Sequence, residues 1–380
     1  MIKANNRRRV FMVLLPLFIS LLTSCGYKDI DKRFFVVSIG IDKNENKNEN
    51  ESKKDIPKYN VQLKLAIPQA DIKAGQEGVI LVEEQANSIT EAVNRVKAKV
   101  DKKLDFSHAK VIMLGEPVVR EGEMNNLIDW FIRRRDIQKI AWVAIGRPDA
   151  KTILDLKPKS ERLPSNALFL SFGQSGTESS YIISEYLFSF RKRLTERGLD
   201  PILPIIEVKE PALFAINKSA VFNKQRMVEE LTQEETKLFN IITNKVKEAE
   251  IGTKQDKGGG LFIMIDQAKT KYKIETASGS TQPKVKVIIK LEGTIEETPE
   301  EITKADLNKY LEKVEEQFKQ QTIKLLTKLQ KKEIDPLGLG LMYRGTHSYQ
   351  KDWQEWEEIY PRLEFEPVVN VTVEGGGDLR

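Results

Sequence analysis

Apolar residues recur at every second position in some stretches of this chain and at helical spacing in others, and the two patterns take turns along it. Arg33–Asp42 (RFFVVSIGID) is a β-branched and aromatic run ending in Gly40 and Asp42, which predicts a buried strand. Val61, Leu63, Leu65 and Ile67 alternate with Asn60, Gln62, Lys64 and Ala66, the pattern of a half-buried strand that Pro68 ends. Together they predict a hairpin around Asn44–Ser52, a stretch with no apolar residue to bury and hence a loop. Ser88 and Glu91 have capping-box spacing, and Ile89, Ala92, Val93, Val96 and Val100 then share one helical face. A strand over Ala109–Leu114, a helix with Met124, Leu127, Ile128, Phe131 and Ile132 inward, and a strand over Ile140–Ile145 follow. Ile182, Ile183, Tyr186, Leu187, Phe190 and Leu194 predict a further helix with Gly198 as its C-cap.

Pro201, Pro204 and Pro211 predict a connection between domains, because proline is excluded from central strands and stiffens linkers. Beyond it come short strands around Ala220–Phe222, then a second capping box, Thr232 and Glu235, before Leu238, Phe239, Ile242 and Val246. After a break at Lys254–Gly260, strands are predicted at Phe262–Asp266 and Lys271–Glu275. Val285, Val287, Ile289 and Leu291 alternate cleanly with charged neighbours. A long helix runs from Thr303 to about Glu333, with Leu307, Tyr310, Leu311, Val314, Phe318, Leu325 and Leu329 on one face, and stops before Pro336. A last strand covers Val368–Glu374. The order predicts a multidomain α+β protein, mixed sheets flanked by helices, with units over 25–208, 209–256 and 257–380.

The first 24 residues follow another rule. Arg7-Arg8-Arg9, the apolar run Val10–Leu22 and small residues after it are the three parts of a secretory signal, and the run is shorter than the roughly 20 residues a membrane span needs. Leu22-Thr23-Ser24-Cys25 resembles the bacterial lipobox. There the bond between Ser24 and Cys25 is cut, the thiol carries a diacylglycerol and the new amine a palmitoyl chain. Cys25 is the single cysteine of the 380 residues, so no disulfide is available to the exported chain. Two or three acyl chains give stable anchoring where one is marginal. Losing Lys3, Arg7, Arg8 and Arg9 with the signal takes the formal charge from +5 to +1, too little for a global field toward nucleic acid or an anionic surface.

Catalytic constellations are not legible. The two histidines, His108 and His347, lie far apart without the short ligand spacings of a metal site, and His108 reads as a hydrogen-bonding structural residue. Gly173-Gln174-Ser175-Gly176 lacks the spacing of a nucleophile elbow and reads as a loop. Gly258-Gly259-Gly260 and Gly338-Leu339-Gly340 read as turns, Glu229-Glu230 and Glu296-Glu297 as solvated neighbours, and Arg133-Arg134-Arg135 as a helix end that offsets the dipole, with contact to acidic lipid headgroups or an acidic partner as the second reading. The expectation is a protein that is not an enzyme and carries no cofactor and no metal.

The lipobox, Ile39-Gly40-Ile41-Asp42, the run from Phe106-Ser107-His108 to Leu114-Gly115-Glu116, Arg135-Asp136-Ile137 and Ala141–Gly146 resemble the germinant-receptor C subunits, the Ger(x)C lipoproteins of endospore formers. Ser219–Phe222, Gln330, Asp335-Pro336-Leu337-Gly338, Trp353, Trp356 and Tyr360-Pro361 extend the resemblance through the second half. It implies a three-domain α and β protein held by its lipid on the outer face of the spore inner membrane. It further implies A-type and B-type membrane subunits as partners in a receptor that senses nutrients, and no catalytic residues. Whether this subunit itself touches the nutrient is left open. The departures are the Asn-rich insertion at 44–52 and Leu337-Gly338-Leu339-Gly340, where an aromatic is common after the aspartate. Two other readings compete: a lipid-anchored substrate-binding protein of a transporter, which needs two lobes and a cleft, and an exported hydrolase.

Overall fold

The computed structural model describes residues 29–44, 57–67, 78–157, 164–172, 179–210, 213–246, 248–254, 260–276, 282–298, 304–347 and 351–374. Ser24, Cys25, the stretch 45–52, Gly173–Gly176 and Gly258-Gly259 lie outside them. Among the described residues two sheets organise the chain. The first contains β1 (Arg33–Lys43), β2 (Tyr59–Ala66), β3 (Val79–Ala86), β4 (Lys103–Asp105), β5 (Val111–Gly115), β6 (Trp142–Arg147), β7 (Ile202–Glu210), β8 (Leu213–Phe222) and β9 (Met227–Leu231). Its order is β3-β2-β1-β5-β6-β7-β8-β9, with β4 pairing on β1. The centre, β1-β5-β6-β7, is parallel, and antiparallel strands flank it on both sides. The second sheet is β10 (Ala249–Lys254), β11 (Gly260–Glu275), β12 (Lys284–Glu297) and β13 (Glu364–Glu374), in that order.

The helices are α1 (Ile89–Lys97), α2 (Glu116–Glu121), α3 (Met124–Arg133), α4 (Ala150–Asp155), α5 (Pro164–Phe172), α6 (Leu187–Thr195), α7 (Gln233–Ile242), α8 (Lys304–Lys331), α9 (Leu339–Thr346) and α10 (Asp352–Ile359). α1, α2, α3 and α6 bury their apolar stripes on one face of the first sheet, against Ile39, Ile41, Val61 and Leu63. α4 and α5 cover the other face over Val111, Met113 and Ala144. A parallel sheet closed on both faces explains why β5 and β6 read as continuous apolar runs. α7, α8, α9 and α10 pack on the inner face of the second sheet.

Capping follows the predicted spacings. Ser88 Oγ accepts the Glu91 N–H at 3.1 Å, while the Glu91 carboxylate reaches back to the N–H of Asn87, one residue before the cap. At α7 the box is complete, Thr232 Oγ1 accepting from Glu235 N–H and Glu235 Oε2 from Thr232 N–H at 2.8 Å.

Several elements depart from the sequence reading. The proline stretch is β7, a central strand and not a linker: pairing with β6 begins at Ile205, so Pro204 owes no N–H on that side. The helix predicted from Ile182 starts at Leu187. Its first residues run beside β6, where the Val143 N–H donates to Glu185 O and the Leu187 N–H to Ala141 O, filling the edge β7 leaves open. The C-cap of α6 is Glu196, and Gly198 serves a contact described below. Phe262–Asp266 and Lys271–Glu275 belong to one 16-residue strand, β11. The segment 209–256 distributes its elements, β8 and β9 to the first sheet and β10 to the second.

Candidate functional site

Three apolar strands end in a glycine close to a charge: Gly40-Ile41-Asp42, Gly115-Glu116 and Gly146-Arg147. Because β1, β5 and β6 are parallel neighbours, these ends meet at the C-terminal end of the central strands, with Gly115 paired to Gly146. Asp42, 6% exposed, accepts the N–H groups of Ala150 at 2.7 Å and Lys151 at 3.0 Å and the amide of Gln62 at 3.0 Å. It thereby satisfies the orphan donors at the start of α4, beside the N-cap Asp149. A Cβ at Gly115 would strike the Asp42 carboxylate, which is why glycine stands there. Burial pushes the Asp42 carboxyl up to about 6 in spite of these hydrogen bonds.

Arg147, at the end of β6, faces three carboxylates. Its Nε and Nη2 grip Glu116 at 2.5 and 2.9 Å, Nη1 reaches Glu207 of β7 at 2.8 Å, and Nη2 reaches Glu230 of β9 at 2.7 Å. Lys218 and Lys209 also pair with Glu207. Burial alone would raise the Glu207 carboxyl, but hydrogen bonds from Lys209, Lys218 and Arg147 outweigh it and hold it at about 2. For Glu116 the bonds from Arg147 and Arg120 likewise outweigh burial and keep it below the usual range. Glu116 and Glu207 are thus ionised and paired at neutral pH. Mechanically it is a clamp across β6, β7, β9 and the start of α2.

A second cluster joins the two sheets. Asp335, 4% exposed, turns back on its own loop, accepting the Gly338 N–H at 2.9 Å and the Gly340 N–H at 2.7 Å. Its N–H donates to Asp200 Oδ2 at 2.7 Å, and the Asp200 N–H returns a bond to Asp335 O at 2.8 Å. Arg193 of α6 donates to Asp200 O and Pro336 O, both at 2.9 Å, and to the buried Glu185, which Lys245 also approaches at 3.4 Å. Gly198, with φ 77°, lies back to back with Gly340, where a Cβ would come within 2.5 Å of the facing backbone. Trp356 and Tyr360 close the joint: the indole lies against Gly340, and the Tyr360 hydroxyl donates to Ile334 O at 2.5 Å. Burial pushes the Asp335 carboxyl up to about 7.

The residues that the sequence offered for chemistry lie elsewhere. His108 is exposed, its Nδ1 3.0 Å from Ser107 Oγ and its ring edge-on to Phe35; His347 stacks on Tyr343. Among the described residues no group of three or more His, Cys, Asp or Glu is placed to hold a metal ion. Arg134 stacks on Phe106 and Trp130 and pairs with Asp136, so that arginine is spent on packing. Glu229 and Glu230 are not solvated neighbours: they point apart, Glu229 to Lys328 and Lys332 of the long helix region, Glu230 to Arg147. Sequence reasoning missed Arg147, Glu116, Glu207, Asp200 and Arg193. The signal that could have found the first cluster is the glycine beside a charge that ends three apolar runs.

Comparison with known proteins matches this arrangement over nearly all of the chain. Residues 26–208 fit the family described as spore germination protein, N-terminal domain, and residues 217–377 that described as spore germination B3/GerAC like, C-terminal. The chain belongs to the germinant-receptor C-subunit family. The two matches part within the β7–β8 hairpin of the first sheet. Similar members include spore germination protein GerQC of Bacillus cereus, 25% identical over 76% of this chain and 80% of that protein. The putative spore germination protein YfkR of Bacillus subtilis is 24% identical over 98% of both chains. The crystal structure of the GerBC protein superposes with a TM-score of 0.59 and 18% identity, covering 89% of this chain and 97% of that one, and so shares the fold. Of the stretches that carry the resemblance, Asp42, Gly115, Glu116 and Gly146 lie at the strand-end cluster, and Asp335–Gly338, Trp356 and Tyr360 at the joint.

Proposed function

We propose that this chain is the lipid-anchored, non-catalytic subunit of a nutrient germinant receptor. In this reading it works with A-type and B-type membrane subunits on the outer face of the spore inner membrane. The observation that carries it is the family match over residues 26–208 and 217–377, within which Glu116 is held by Arg147 and Asp335 by the backbone N–H groups of its own loop, so that these carboxylates serve the fold. Such a chain can position partners and transmit force between its two sheets. The lipid on Cys25 would supply the attachment, since no described helix is long and apolar enough to cross a membrane. Cys25→Ala tests the anchor: the variant should fold as the parent does but leave the detergent phase in a phase-partition experiment. A variant that stays with the detergent phase after losing residues 1–24 would overturn the anchoring.

A further inference from the structure

Val285, Val287, Ile289 and Leu291 of β12 are fully buried, so the residues between them, Lys286, Ile288 and Lys290, point away from the core. On β11 the same alternation turns Lys269, Lys271 and Lys273 outward. The register sets Lys269 opposite Lys290 and Lys273 opposite Lys286, with Lys271 opposite Ile288 and Val368 of β13 next in the row. Like charges directly opposite on a sheet are destabilising. Two such pairs do nothing for the fold, yet they ring an aliphatic centre in which Val368 is 46% exposed. The outward positions also carry Glu275, Glu292, Glu364, Glu366 and Glu374; Glu366 stands opposite Lys286, and the ion pairs of this face are Lys273 with Glu275 and Lys284 with Glu364 and Glu366, at one end of it. Among the described residues Lys269, Lys271, Lys286 and Lys290 form no ion pair.

We infer that this outer face of the second sheet docks on anionic phospholipid headgroups. Lysine is a hydrated point charge on a flexible stem, suited to a diffuse anionic surface, whereas protein interfaces are enriched in arginine and aromatics and depleted in lysine. The outward positions of β11 from Lys269 on, of β12 up to Glu292 and of β13 carry neither arginine nor aromatic. Each lysine near such a surface strengthens binding by about fivefold at moderate salt, and the short aliphatic side chains can settle among the headgroups. The inference is independent of the lipid on Cys25, and its test removes that lipid.

The test takes residues 25–380 with Cys25→Ala, which keeps every described element, and sediments it with vesicles of phosphatidylcholine alone or mixed with phosphatidylglycerol. The parent should bind only the mixed vesicles, and less as salt rises. Replacing Lys269, Lys271, Lys286 and Lys290 together by Gln should weaken binding by about a hundredfold or more. Its thermal midpoint should stay at or above that of the parent, because the like-charge pairs are gone. Replacing Lys309, Lys313, Lys319 and Lys324 on the outer side of α8 by Gln removes the same charge and should change binding little. Equal binding to both vesicle types, no binding at all, or equal losses in the two variants would overturn the inference. So would normal vesicle binding by the sheet variant together with loss of capture by a receptor subunit, which would assign the face to an acidic protein.

Discussion

Single side chains in this molecule do structural work that their type does not announce. Asp335 is the clearest case, a carboxylate buried to satisfy the backbone donors of its own loop at the junction of the two sheets. Burial raises its folded value to about 7, above the ordinary carboxyl value near 4, so the folded state holds the proton more tightly than the unfolded chain. The stabilisation is therefore complete below the unfolded value and is lost as pH rises through about 7. Urea midpoints of the parent and of Asp335→Asn, which cannot titrate there, should diverge accordingly. The parent should lose on the order of 3 kcal/mol relative to the variant between about pH 4 and pH 8. A difference independent of pH would mean that Asp335 stays ionised in the fold. From the sequence, Asp335 could be named as part of a family motif, but its burial could not be read. Nothing local distinguishes an aspartate capping an exposed turn from one sealed under Trp356 and Tyr360. Arg147 and Glu207 were invisible for the same reason, since 60 positions separate them and only the sheet makes them neighbours.

Elements were legible where one face alone is buried. β12, α3 and α8 follow their predicted periodicity because each has a core side and a solvent side, whereas β2, predicted half-buried, buries Gln62 and Lys64 as well as Val61, Leu63 and Leu65, because helices cover both faces of its sheet. β3 was missed: as an edge strand half-buried on both faces, Val79-Ile80-Leu81-Val82 followed by Glu83-Glu84 gives no alternation. β7 was misread because three prolines in and around it outweighed its four isoleucine and leucine residues, and the extended residues before α6 because apolar positions beside a strand can mimic a helical stripe. The long helix α8 offers the sharpest check. Val314, Phe318, Leu325 and Leu329 are 5% exposed or less and pack on the second sheet, as the spacing required. Phe318→Ala should cost about 3–5 kcal/mol, read as a shift of the thermal or urea midpoint. An unchanged midpoint would contradict the packing and free that face for a partner.

At the scale of the whole molecule, two sheets are joined through Asp200, Arg193 and the Asp335 loop, and of the stretches that carry the family resemblance Asp335–Gly338 falls on that joint and Gly115-Glu116 on the strand-end clamp. The joint escaped the sequence because it forms between residues some 135 positions apart. A scaffold whose half-buried charges clamp strands and join its two sheets suits a subunit that holds a receptor together at a membrane. The most direct test of that central proposal is the germination of spores from which this chain has been deleted, followed on a panel of amino acids and sugars, with calcium dipicolinate as the receptor-independent trigger. The response to the nutrients of the cognate receptor should vanish while the response to calcium dipicolinate stays intact. An unchanged nutrient response, or equal loss of both, would contradict the assignment as a germinant-receptor subunit.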